Sequence, residues 1–84
     1  MTDQEYDLLD ELYFVISFQE LCSQVNLSQD QLINALTGLC AKEWVRVYDA
    51  LGAEIELNEI QSTAFRQYKF LASKKGLFAH NATI

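Results

Sequence analysis

The 84 residues contain no proline, only three glycines, two cysteines and a single histidine. Without proline or a low-complexity run there is no candidate linker, and no internal repeat is evident. The three scattered glycines leave no Gly-rich loop to cradle a phosphate. Cys22, Cys40 and His80 fall short of the four ligands of a structural zinc site, so no metal is expected. No run of roughly 18 apolar residues exists, so no membrane span is expected. The first eleven residues are acidic, unlike the basic-then-apolar opening of a secretion signal. Both cysteines lie among apolar neighbours and read as reduced thiols of a cytoplasmic protein, buried between two helices.

Positive charge is also scarce, with six Lys and Arg against twelve Asp and Glu for a net charge of −6. Residues 1–59 carry every acid and only Lys42 and Arg46. Residues 60–84 carry Arg66, Lys69, Lys74 and Lys75 and no acid. Such asymmetry bears on partners more than on the fold. The length suits one domain over residues 1–84, with a core from about 4 to 76 and a short tail at 77–84. A chain this small buries only about 60–65% of its unfolded surface, so a second core or a deep substrate cleft is hard to build.

What is present is a series of local signals. Leu8, Leu9, Leu12, Tyr13 and Ile16 recur at helical spacing opposite Asp7, Asp10 and Glu11, so an amphipathic helix is expected near 4–13, followed by a short strand. Ser17-Phe18-Gln19-Glu20 has the form of a capping box, with Ile16 and Leu21 at the staple positions. Ser28-Gln29-Asp30-Gln31 repeats it eleven residues on, with Leu27 and Leu32. Asn26 between them suits the turn that ends the first helix. Helices near 18–24 and 29–42 joined by a sharp turn make a helix-turn-helix. Gly38 within the second helix reads as a place for close approach by another element.

The period then switches to two. Val45, Val47, Ile55 and Leu57 fall on one face if Val47 opposes Ile55, with Ala50-Leu51-Gly52 as the loop and Gly52 at its left-handed position. Arg46 then opposes Glu56. A last helix is expected near 59–75 from Asn58 as cap, the stripe Ile60, Ala64, Phe65, Tyr68, Leu71 and Ala72, and Gly76 as its terminator. Phe70 falls off that stripe and is expected to be exposed.

Three stretches carry a resemblance: Ser17-Phe18-Gln19-Glu20-Leu21-Cys22, Leu27-Ser28-Gln29-Asp30-Gln31-Leu32, and Leu39-Cys40-Ala41-Lys42-Glu43-Trp44-Val45-Arg46-Val47. In this order the chain resembles the winged helix-turn-helix domain of bacterial transcriptional regulators. The third stretch is similar to their passage from recognition helix to wing, with Glu43-Trp44 where that passage has Gly. The resemblance implies a mostly α fold, with a three-helical core, a small β-hairpin wing and a C-terminal helix. It implies a recognition helix over about 29–42 presenting Gln29, Asp30, Asn34 and Thr37, and a wing over about 44–57 that carries Arg46 and Leu51.

Asn and Gln can read adenine edges, yet phosphate neutralisation by Lys and Arg supplies most affinity for duplex DNA. The expected recognition face has no cation before Lys42, and the wing tip offers Asp49 and Leu51. The expected function is therefore that of a small regulator-type protein with weak direct DNA affinity, acting as a dimer or in a complex. The alternative is a protein–protein interaction module that does not bind DNA, its acidic surface meeting a basic partner or another copy's basic last helix. Arg66, Lys69, Phe70, Leu77 and Phe78 form the expected dimer or partner surface. An enzyme is not expected, because the acids are dispersed and the lone His80 lies in a frayable tail. No cofactor is expected either.

Overall fold

The computed structural model describes residues 2–82. Helix α1 (Asp3–Glu11) starts at a Thr2 capping box closed in both directions with Glu5. Strand β1 (Ile16–Ser17) runs directly into α2 (Phe18–Gln24), and α3 (Gln29–Ala41) follows a four-residue turn. Ser28 and Gln31 form a complete capping box on α3. The Ser17 cap is one-sided. Glu20 N–H donates to Ser17 Oγ at 3.2 Å, while the Glu20 carboxylate takes the Ser17 hydroxyl at 3.3 Å. Ser17 is at the same time a strand residue opposite Lys69, which sets its backbone for the sheet.

The end of α3 explains the missing glycine. Trp44 N–H reaches the Leu39 carbonyl and Glu43 N–H the Cys40 carbonyl, each at 3.0 Å, as in a Schellman cap. Its left-handed residue is Glu43, with φ 61°. The chain then enters β2 (Val45–Tyr48), whose Val45 and Val47 are buried while Arg46 is exposed. Strand β3 (Glu54–Ile55) pairs with it in the expected register, Val47 opposite Ile55, and Gly52 at the loop has φ 90°.

Beyond β3 the structure departs from the expected long helix at 59–75. Two 3₁₀ turns, Leu57–Glu59 and Ser62–Gln67, lead into a fourth strand, β4 (Lys69–Ala72), and then into α4 (Lys74–Ala82). β4 lies between β1 and β2, so the sheet is four-stranded and antiparallel in the order β1-β4-β2-β3. Among the described residues the fold is thus mixed α and β, four α-helices with a four-stranded sheet, rather than helices with a hairpin alone. Phe70 is fully buried in the core, not exposed, because strand alternation turns Phe70 and Ala72 inward. Its ring meets Phe65 edge-on, with centroids 5.6 Å apart.

Leu8 and Leu9 of α1 and its C-cap Leu12 join Phe18 and Leu21 of α2, Leu32, Leu36 and Leu39 of α3, and the inward strand residues in one core. Cys22 and Cys40 are unbridged but only half-buried at its edge, not fully enclosed. Burial pushes the Cys40 thiol up to about 11 and raises that of Cys22.

Ser73, not Asn58, caps the last helix, its Oγ accepting from Gly76 N–H at 3.1 Å. Gly76 therefore lies in the first turn of α4 rather than beyond a helix end. It faces the Trp44 backbone, where an added Cβ would collide with the carbonyl oxygen and stand 2.9 Å from its carbon. The close approach foreseen at Gly38 occurs here instead, since a Cβ at Gly38 would meet Glu5 at an ordinary 3.8 Å. His80, far from fraying, is 4% exposed. Its ring stacks on Tyr6 at 4.3 Å, and its Nδ1 lies 2.9 Å from the Tyr13 hydroxyl.

These two backbone positions generate opposite expectations. Glu43→Gly relieves a left-handed conformation at the loss of only an exposed pair with Lys75, and should raise stability by up to about 1 kcal/mol. Gly76→Ala should lower it by roughly 1–3 kcal/mol, because backbone rather than a flexible side chain has to yield. Urea unfolding followed by circular dichroism measures both, and equal effects of one sign would contradict this account.

Candidate functional site, the exposed face of α3

Burial of Leu32, Leu36 and Leu39 fixes the rotation of α3, and this leaves Gln29, Asp30, Asn34 and Thr37 exposed. Asp30, Asn34 and Thr37 fall on one stripe at helical spacing, and Gln29 lies to one side. Two of the four are already engaged. The Thr37 hydroxyl donates to the Ile33 carbonyl at 2.7 Å, and Gln29 Oε1 accepts from Arg66 Nε at 2.8 Å. Asn34 and Asp30 are left to meet a partner, and Asp30 is an acid.

Neighbouring cations are tied down as well. Lys42 Nζ donates to Glu5 Oε2 at 2.6 Å and sits over the Trp44 ring, 4.6 Å from its centroid. Arg46 grips Glu54 through two hydrogen bonds of 3.2 and 2.6 Å. The expected partner, Glu56, is not used, because β3 ends at Ile55 and the chain turns away into the first 3₁₀ turn. Lys75 pairs with Glu43 at 3.6 Å.

At the hairpin tip Leu51 is 95% exposed. The Asp49 carboxylate accepts from Leu51 N–H at 2.9 Å and from Ala53 N–H at 3.0 Å, so it holds the loop together. The tip thus presents an apolar side chain on an acid-braced turn.

Of the residues expected at a dimer surface, Arg66 is exposed beside α3, Lys69 is half-buried in β4, and Phe70 is in the core. Leu77 is half-buried, and Phe78 is exposed. The structure brings Arg66, Lys69, Ser17 and Gln19 around one shallow depression, a grouping the helical reading of 59–75 concealed. Among the described residues no group of three or more His, Cys, Asp or Glu could hold a metal ion, and no helix is long and apolar enough to cross a membrane. Comparison with protein-family models, with curated proteins and with solved structures finds no match to this chain.

The Glu5–Lys42 pair gives a measurable pH dependence. Burial works to raise the Glu5 carboxyl pKa, but the Lys42 ammonium and the Thr2 donors outweigh it, and the net result lies below the ordinary 4.5. A lowered folded pKa contributes stability above about pH 4.5, which is lost as pH falls through the folded value. Glu5→Gln should therefore cost about 1 kcal/mol at neutral pH. The gap to wild type should close in acid, and a pH-independent difference in urea midpoints would count against the pair.

Proposed function

We propose that this chain is a winged helix-turn-helix module of the transcriptional-regulator type that works within a protein complex, its direct affinity for duplex DNA being weak. The order of elements supports the first part: a helix, a short strand, two helices across a tight turn, and a hairpin. In this reading α3 is the recognition helix and β2–β3 the wing. Fold analogy alone would favour DNA as the partner.

The observation that carries the second part is the state of the cations. Lys42, Arg46 and Lys75 are each paired with an acid of the same chain, and Arg66 is bonded to Gln29. Affinity for duplex DNA comes largely from counterions released as Lys and Arg neutralise phosphates. A cation that has to leave an internal acid first contributes less, and Asp30 on the α3 stripe repels phosphate. Protein contact is the use that this surface serves best.

A fluorescence titration of random-sequence duplex across a salt series tests the reading. At about 0.15 M salt the dissociation constant should be weaker than the usual non-specific range of ~10⁻⁴–10⁻⁶ M, with a shallow salt slope. A micromolar complex at that salt would overturn it and point to Arg66 and Lys69 beside the helix-turn-helix as phosphate contacts.

A further inference from the structure

We propose that the depression holding Arg66 and Lys69 receives an acidic side chain of a protein partner, from a segment in which that acid is flanked by Lys or Arg. This rests on the reading above and deepens it by naming the chemistry of the partner.

Lys42, Arg46 and Lys75 are paired with acids of the chain, whereas Arg66, Lys69 and Lys74 form no ion pair among the described residues. The fold brings two of these three together. Arg66 lies near the end of the second 3₁₀ turn, and Lys69 opens β4. Both line a depression closed by Ser17 and Gln19 at the start of α2 and by Ala50 of the hairpin tip. In a chain with twelve acids, none lines it.

The two cations are held in ways that suit a single carboxylate. Arg66 gives Nε to Gln29 Oε1 at 2.8 Å, which orients the guanidinium and leaves its terminal nitrogens for a ligand. Such a planar fork of donors matches the two oxygens of a carboxylate. Lys69 is half-buried, opposite Ser17 on one side and Tyr48 on the other. Because Phe18 N–H bonds to the Tyr68 carbonyl, Ser17 and Lys69 form a non-hydrogen-bonded pair whose side chains stand close together. Partial burial leaves the ammonium less screened than in open water, so it attracts an anion more strongly.

The rim selects among anions. The Glu20 carboxylate takes the Ser17 hydroxyl at 3.3 Å on one side. On another, the Asp49 carboxylate braces the tip that carries Ala50, accepting from Leu51 N–H and Ala53 N–H. A continuous polyanion laid across the depression would carry its next charges onto these acids. An isolated carboxylate would not, and basic residues beside it would be drawn to Glu20 and Asp49. Two cations rimmed by acids have as their complement an acid rimmed by cations.

Capped synthetic peptides titrated into the ¹⁵N-labelled chain, followed by amide chemical shifts, test this. The probe carries Glu at its centre and Lys at each end, with neutral spacers. One control has Gln for that Glu, and a second has Glu at every charged position. Exposed ion pairs are individually weak, so a dissociation constant of about 1 mM is expected for the probe, with the largest shifts around Arg66 and Lys69. Each control should bind at least about threefold more weakly. Arg66→Gln and Lys69→Gln should each weaken the probe by about threefold with an unchanged circular dichroism spectrum. Lys74→Gln, outside the depression, should leave binding as it is. Glu20→Gln should narrow the gap between the probe and the all-Glu control. Absence of shifts at about 5 mM probe, shifts confined to other surfaces, or equal weakening by Lys74→Gln overturns the proposal. So does tighter binding of the all-Glu peptide, which would mark a surface for continuous polyanions. Inorganic phosphate reproducing the probe's shifts at equal concentration would also overturn it, by showing an anion site indifferent to protein. No arm contains DNA, so failure here leaves the duplex titration to judge the preceding reading by itself.

Discussion

Lys69–Ala72 has to lie between β1 and β2, and the rest of the molecule is arranged around that requirement. Removing this strand leaves β2 and β3 as a two-stranded hairpin, marginal in water by itself, and leaves β1 without any partner. With it in place, Phe70 enters the core from the centre of the sheet. The ladder is extended at both ends. Phe18 N–H donates to the Tyr68 carbonyl at 3.3 Å, and Ala72 N–H donates to the Leu12 carbonyl at 2.8 Å. One strand thereby ties the start of α2, the end of α1 and the hairpin to a single surface.

The same strand marks where the sequence stopped being legible. The caps at Ser17 and Ser28 and the hairpin register at Val47 and Ile55 depend on residues a few positions apart, and these features stand in the structure. β4 depends on pairing with residues 16–17 and 45–48, far away in sequence. Its four residues offer only two inward positions, Phe70 and Ala72, too few to outweigh the helical spacing of Ile60, Ala64, Phe65, Tyr68, Leu71 and Ala72. One local signal favours the observed structure: Ser73, a good N-cap, stands in what would be the last turn of a continuous helix over 59–75. Gly76 three residues later then reads as a first-turn residue chosen for closeness to Trp44, not as a terminator.

The α3 face was legible for the same local reason, since three buried leucines fix which way Asp30, Asn34 and Thr37 point. The Phe70 assignment failed because it inherited the wrong period. In the sequence one imidazole carries no sign of its environment, so His80 reads as tail. Only the docking of α4 on α1 brings Tyr6 and Tyr13 onto its ring. Arg46 shows a subtler limit. The register puts it opposite Glu56, yet the strand stops one residue earlier, and the diagonal neighbour Glu54 takes the guanidinium.

Charge connects this architecture to its use. With twelve acids and six cations, any element that needs a counter-charge draws on a small supply. Lys42 serves to hold α1 against the end of α3, Arg46 braces the hairpin, and Lys75 secures the Schellman turn to α4. Each of these pairs joins segments that are separate in sequence, so each cation is part of how the chain closes on itself. Transferring one to a phosphate would expose its acid close to that phosphate, and the repulsion would offset much of the counterion entropy released. The acids left over face outward on α1 and at the first turn of α3, where they repel polyanions and attract cationic protein surface. Lys42, Arg46 and Lys75 are therefore withheld from phosphate by the same interactions that hold the chain folded.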